Sequence, residues 1–292
     1  MATGKVSIDG RVVDSGEARV SVFDRGFLYG DSVFEVFRTY SGVPFAQREH
    51  LERLQRSADR LMIPMPVSME TLSSEVAATL AAAGEGEWYV RIVVTRGTGP
   101  LTYDLSTATA PLRVIIAAPV SVPPAEHYER GIAVSLLHAS RPTDDERASG
   151  AKASNYLANL LAVHEAKQKG AQEALVLGRR GQILEGASSN VFIVKDGKVR
   201  TPEPQPGILV GITRATVIAA AAAAGIEVEE GEVRPEDLYG ADEAFLTSSI
   251  REVMPVVAAD GRTIGSGAPG SLTKRLHEGY LRAVAQATGS GV

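Results

Sequence analysis

Four two-residue turns, Asp9-Gly10, Ser41-Gly42, Asp196-Gly197 and Asp260-Gly261, stand between short runs with strand character. So tight a reversal needs residues that tolerate left-handed backbone, and it joins antiparallel neighbours. Hairpins are therefore expected in both halves of the chain. Between them the hydrophobic period changes. From His50 to Met62 the apolar residues Leu51, Leu54, Ala58 and Leu61 recur at helical spacing, and Pro64 and Pro66 end the run. A second helix follows Ser68 as N-cap, with Met69, Leu72, Val76 and Leu80 on one face and Gly84 as its stop. Strands are expected at 88–97, 112–119 and 132–137, and a polar loop over 141–150. One helix runs from about Thr213 through Ala219–Ala224 to Gly225, and a last one from Ser271 to Ala287. Hairpins and helices mixed in both halves predict an α+β chain rather than a wound parallel sheet.

A length of 292 residues allows two domains. The segment "VSVPPAEHYERG" has adjacent prolines and no periodicity. It divides the chain into an N-terminal domain over 1–119, a linker over 120–128 and a C-terminal domain over 129–292. A net charge of -5 without a basic run disfavours nucleic acid as a partner. There are no cysteines, so thiolate chemistry and disulfides are excluded, and the five scattered histidines show no metal-ligand spacing. No metal is expected. The N-terminal "MATGKVSIDGRVVDSG" lacks the apolar core of a signal peptide, and no segment approaches a membrane span. A cytoplasmic protein is the expectation.

Four places carry possible chemistry. In "GAKASNYLANLLAVHEAKQKG", Lys152 precedes a helical pattern whose N-cap is expected at Ser154 or Asn155, with Tyr156, Leu157, Leu160, Leu161 and His164 as an apolar stripe. Near a helix N-terminus the charged form of a lysine is disfavoured, so Lys152 is either a solvated loop residue or an amine suited to a Schiff base. Glu185, in "GQILEGASSNVFIV", is either an exposed strand-end residue or the carboxylate that faces a heterocyclic nitrogen. Gly211, Ile212 and Thr213 open a helix whose free N–H groups suit an anion, and "FLTSSIRE" offers a second hydroxyl-rich turn, or an ordinary one. Most arginines of "REHLERLQRSADRL" belong to a solvated face, while Arg53 is placed to reach inward as a bidentate phosphate donor.

In their order and spacing, "RGFLYGDSVFEVFRTYSG", "HLERL", "AKASNYL", "EALVL", "GQILEGASSNVF", "ILVGITR", "ADEAFLTSS" and "GSLTKRL" resemble blocks of the class IV aminotransferases, the fold-type IV pyridoxal-phosphate enzymes, over nearly the whole chain. The resemblance implies a small N-terminal α/β-sandwich-like domain, a larger C-terminal pseudo-barrel domain, pyridoxal 5'-phosphate as cofactor and a homodimer. Lys152 would form the internal aldimine and shuttle the proton. Glu185 would pair with the pyridine nitrogen and Tyr156 with the phenolic oxygen. Arg53, the Gly211-Ile212-Thr213 helix start and the Ser248-Ser249 turn would hold the phosphate. Tyr29, Phe34, Arg38, Tyr89, Arg91 and Ile250 would line the substrate side.

Within the family, "YVR", "YGDSVFE" and Arg38 look like the branched-chain enzymes, although "TRGTGPLTYDLST" stands in place of their glycine-rich loop segment. Leu101 and Tyr103 occupy the places of the Arg-x-His pair of D-amino acid transaminases, and Val36 or Phe37 stands where the lyases often carry threonine. The spacing from Lys152 to Asn155, by contrast, fits the D-amino acid and lyase branches. The implied activity is transamination from a hydrophobic, branched-chain-like L-amino acid to an α-keto acid, with Arg38 and Arg91 as candidate carboxylate holders. D-amino acid transaminase, (R)-amine transaminase and 4-amino-4-deoxychorismate lyase are the alternatives on the same scaffold.

Overall fold

The computed structural model describes residues 4–138 and 148–291. Most of the polar loop expected over 141–150 lies outside the described residues. The chain forms two compact units: the first runs to Ser121 and takes in Ala151–Asn155 and Ala287–Ser290, and the second starts at Val122 and includes Tyr156–Gln286.

The first unit contains, in chain order, β1 (Lys5–Ile8), β2 (Arg11–Asp14), α1 (Arg25–Tyr29), β3 (Ser32–Tyr40), β4 (Val43–Pro44), α2 (Gln47–Arg60), α3 (Met69–Ala83), β5 (Trp88–Thr95) and β6 (Leu112–Pro119). Its six strands form one sheet in the order β2-β1-β6-β5-β3-β4, antiparallel throughout. The β1–β2 reversal is the expected one, with Asp9 and Gly10 at φ 49° and 85°. Helix α3 starts where its cap predicts, the Ser68 hydroxyl accepting from the Thr71 N–H at 3.2 Å. Leu51, Leu54 and Ala58 of α2 and Leu72 and Val76 of α3 bury against Val33, Phe37, Val90 and Ile92 of the sheet. Each fully buried leucine or isoleucine there contributes roughly 2 kcal/mol.

Strand alternation gives the sheet a second face. Phe34, Val36 and Arg38 of β3 stand beside Val93, Arg91 and Tyr89 of β5 in register, opposite the core-facing Val33, Phe37, Val90 and Ile92.

The second unit contains α4 (Ala125–Arg130), β7 (Ile132–His138), α5 (Leu157–Gln168), β8 (Glu173–Leu177), β9 (Ile183–Gly186), β10 (Asn190–Lys195), β11 (Lys198–Pro202), α6 (Ile212–Ala223), β12 (Val228–Gly231), α7 (Pro235–Tyr239), β13 (Glu243–Ser248), β14 (Glu252–Ala259), β15 (Arg262–Thr263) and α8 (Ser271–Thr288). Its sheet runs β12-β11-β10-β13-β14-β7-β8-β9, with β15 beside β14. The pairs β11–β12, β14–β7 and β7–β8 are parallel. Local βαβ crossovers through α5 and α6 thus sit inside an α+β chain, a feature that the turn pattern does not announce.

Three expectations are corrected. The segment 120–128, expected to be irregular, carries α4, which Gly131 ends at φ 78°. Helix α5 begins at Leu157 rather than after Ser154 or Asn155. The cause is strand pairing: the Phe34 N–H donates to the Lys152 carbonyl at 2.9 Å, and the Ser154 N–H to that of Ser32 at 3.0 Å. The same pairing places Ala151–Asn155 in the first unit. Finally, Leu157, Leu160 and Leu161 are not core; they are 68, 65 and 59% exposed. Alanines seat this helix instead. Ala162 and Ala166 pack with Leu137, Ala171, Ala174 and Ala187, and small residues let the helix lie close to β7 and β8.

Candidate active site

In the first unit, Lys152 is held by backbone on both sides. Its carbonyl pairs with β3, and its own N–H donates to the Ser57 hydroxyl of α2 at 3.1 Å. The side chain crosses the Phe34 ring, with Nζ 4.6 Å from the centroid. Arg91 lies against the same aromatic, its guanidinium carbon 3.9 Å from the centroid. Two cations on one ring are drawn by its π face. Arg38 turns to its own neighbourhood, stacking on Tyr40 at 4.3 Å and donating to the Thr39 carbonyl at 3.2 Å. Tyr89 is its cross-strand partner. Tyr29, at the end of α1, meets Tyr103 at 5.7 Å between centroids and has Arg25 over its ring at 5.0 Å. The dipole argument for Lys152 loses its basis, because α5 starts five residues later and such fields fade within a turn.

Beneath this face lies a buried charge cluster. Glu35, fully buried on β3, accepts from Arg53 Nε at 2.6 Å and from Arg53 Nη2 at 2.8 Å, and meets His50 Nδ1 at 2.7 Å. Burial alone would raise the Glu35 pKa; the Arg53 charge, and hydrogen bonds from Arg53 and His50, outweigh it and bring it down to about 2. Burial holds His50 below its usual value, against the pull of Glu35. His50 is therefore neutral at pH 7 and donates its Nδ1 proton to the carboxylate. Arg53 points inward, and the group that takes its guanidinium with two parallel bonds is the Glu35 carboxylate.

In the second unit, a backbone N–H and a side-chain amide help to aim Glu185 on β9. The Leu209 N–H donates to its Oε2 at 2.9 Å, and the Asn190 amide to the same oxygen at 3.3 Å. Asn190 also donates to the Leu209 carbonyl at 2.9 Å. It packs so closely on Gly211 that a Cβ there would sit 2.0 Å from Asn190 Oδ1. A Cβ there would push the Asn190 amide from its place, and glycine leaves the start of α6, Ile212 and Thr213, without a side-chain cap. Ser249–Arg251 turns between β13 and β14, with the Ser248 hydroxyl accepting the Arg251 N–H at 3.3 Å. Tyr156 stands at the N-cap position of α5.

Two buried hydroxyls in this unit, Ser189 Oγ and Thr247 Oγ1, have no hydrogen-bond partner among the described residues. Asn190 and Thr247 are direct cross-strand partners, so these orphans adjoin the residue that aims Glu185. Unmet buried hydroxyls, an oriented carboxylate and an uncapped helix start fit a polar ligand with a phosphate and a ring nitrogen. Each unit thus gathers its own share of the expected residues: Lys152, Arg53, Tyr29, Phe34, Arg38, Tyr89 and Arg91 in the first, and Tyr156, Glu185, Gly211, Ile212, Thr213, Ser248, Ser249 and Ile250 in the second.

Sequence reasoning missed Glu35, His50 and Asn190. The signal for Glu35 was present, since a glutamate between Val33 and Phe37 at period two falls on a core face and demands a partner. Asn190 had no such signal, because its partners come from distant segments. Among the described residues no cluster suits a metal ion, and no helix is long and apolar enough to cross a membrane.

Comparison with known proteins gives this geometry a family. The model of amino-transferase class IV matches residues 32–259. A putative branched-chain-amino-acid aminotransferase of Methanocaldococcus jannaschii is 41% identical over 94% of this chain and 95% of its own. D-alanine aminotransferase of Bacillus licheniformis is 34% identical over 99% of this chain and 100% of its own. Among solved structures, a branched-chain amino acid aminotransferase of T.th. with pyridoxamine 5'-phosphate superposes with a TM-score of 0.92 at 32% identity, covering 98% of this chain and 95% of that one. The chain belongs to the class IV aminotransferases, the fold-type IV pyridoxal-phosphate enzymes.

Proposed function

We propose that this aminotransferase uses pyridoxal 5'-phosphate to move the amino group of a hydrophobic, branched-chain-like L-amino acid to an α-keto acid, and that Lys152 is the lysine that carries the cofactor. The observation behind the assignment of Lys152 is its anchoring: backbone bonds to β3 and to Ser57 fix the main chain, and Phe34 and Arg91 limit where the amine goes.

The cofactor supplies an electron sink for the substrate α-carbon. The protein supplies placement and protons. Lys152 moves the proton at the α-carbon as general base and acid. Glu185, aimed by the Leu209 N–H and Asn190, holds a proton on the ring nitrogen, and Tyr156 bonds the phenolic oxygen. By the family resemblance the phosphate would fall to Arg53, which Glu35 locks, and to the second unit's open helix start at Gly211-Ile212-Thr213 with Ser248-Ser249. Phe34, Tyr89 and Arg91 on the second face of the first sheet, with Tyr29, Arg38 and Ile250, meet the substrate. An aromatic face carrying a guanidinium suits a hydrophobic side chain and a carboxylate in turn.

The name of the Methanocaldococcus jannaschii relative supports the branched-chain reading. Leu101 and Tyr103, in place of an Arg-x-His pair, disfavour a D-amino acid substrate. The exposed leucines of α5 support a homodimer, since three large apolar residues on one helix gain by being covered. A donor panel decides the substrate: L-leucine, D-alanine and (R)-1-phenylethylamine, each with α-ketoglutarate or pyruvate, and aminodeoxychorismate without an acceptor. L-leucine with α-ketoglutarate should turn over fastest. Faster turnover of D-alanine or the amine, or pyruvate release from aminodeoxychorismate, would replace this reading.

A further inference from the structure

The hairpin between β13 and β14 is built against its own backbone preference. Ser249–Arg251 closes on the Ser248–Glu252 pair, and the residue that follows the turn stands in the left-handed region, where glycine is the usual occupant. Here that residue is Glu252, at φ 54°. A residue with a Cβ is held there only if its surroundings insist.

They do so through side chains. Glu252 Oε2 meets His277 Nε2 at 2.9 Å. Tyr128 stacks on His277, with centroids 5.4 Å apart, and its hydroxyl donates to the Arg251 carbonyl at 3.3 Å. The Arg251 guanidinium makes an ion pair with the carboxylate of Glu173 on β8, a side chain with 0% exposure. The same Glu173 oxygen accepts from the Ser188 hydroxyl at 2.8 Å, and the other from the Ala174 N–H at 3.0 Å.

Glu173 therefore ties the hairpin to the segment that leaves β9, three residues beyond Glu185. A carboxylate so buried must keep its cation and its hydrogen bonds, so the hairpin has one low-energy place relative to that segment. We infer that Glu173 and Arg251 are positioning residues, which set the Ser248–Ile250 turn at the spacing from Glu185 that a phosphate and a ring nitrogen of one cofactor require. This inference rests on the cofactor reading above.

The test compares pyridoxal 5'-phosphate with pyridoxal, which has the ring and no phosphate. Affinities for both are measured on the wild type and on Glu173→Gln, Arg251→Lys and Ser188→Ala, with thermal unfolding of the same samples. The expected result is that the ratio of the two affinities falls roughly tenfold in Glu173→Gln and Arg251→Lys, with pyridoxal binding little changed. Ser188→Ala, which keeps the ion pair, should lower the ratio by a smaller factor and reports even where the other two do not fold. A ratio within about twofold of wild type in every folded variant overturns the inference, whatever the melting temperatures do, because a merely stabilising pair lowers them without touching phosphate preference. A wild type that binds both forms equally, or neither, overturns the cofactor reading itself.

Discussion

Glu35 and Glu185 are both strand glutamates, one in each unit, and they differ in burial and in the donors that hold them. Glu35 is sealed from water and met by an arginine on both oxygens and by a histidine. Glu185 is only partly buried, and a backbone N–H and an amide converge on one of its oxygens. Cationic partners fix a carboxylate and spend its charge. For Glu185, the Leu209 N–H and the Asn190 amide set the direction of the carboxylate. The first arrangement locks Arg53; the second orients the carboxylate proposed above to face the cofactor's ring nitrogen.

The contrast breaks most visibly through stability. Glu35→Ala takes from buried Arg53 the carboxylate that meets it on both oxygens, and from His50 the acceptor of its Nδ1 proton, and should cost about 3–5 kcal/mol in a urea or guanidinium melt. A cost as small as that of a surface substitution would mean that Glu35 is not the cluster's keystone.

Acid probes the same cluster. The folded pKa of Glu35, about 2, lies below its ordinary 4.5. Its contribution is therefore complete above about pH 4.5 and is lost as the pH falls toward 2, a change of roughly 3 kcal/mol. His50, also held below its ordinary 6.5, acts in the same direction and begins to weaken the fold at a higher pH. Denaturant melts across this range should show stability falling with acid, and Glu35→Gln should remove the lower part of the fall.

In the second unit the effect should appear in turnover instead. Glu185→Gln should reduce kcat on the order of a hundredfold with little change in the melting temperature. Asn190→Ala, which loosens the aim of Glu185 but keeps its charge, should cost about tenfold in kcat. Equal losses in the two variants would make the aim as important as the charge.

The two units also differ in how much of them was legible. In the first, α2 shows its seat through Leu51, Leu54 and Ala58, and Asp9-Gly10 marks its hairpin because few other residues accept φ values of 49° and 85°. In the second, α5 misleads: its leucines face outward and its alanines seat it, so the largest apolar residues point away from the core. The parallel pairs β7–β8 and β11–β12 were not legible either, since register between distant strands leaves no local period. Lys152 and Glu185 stood out through family resemblance, while the residues that aim or lock the site, Asn190, Glu35 and His50, became visible only as contacts.

Borohydride reduction tests whether Lys152 carries the cofactor. After incubation with pyridoxal 5'-phosphate, which condenses with an amine by loss of water, and reduction of the imine, the intact wild-type protein should gain the mass of one phosphopyridoxyl group, and peptide mapping should place it on Lys152. Lys152→Ala should gain none while remaining folded. A modified lysine elsewhere, or equal labelling of Lys152→Ala, would place the cofactor on another residue.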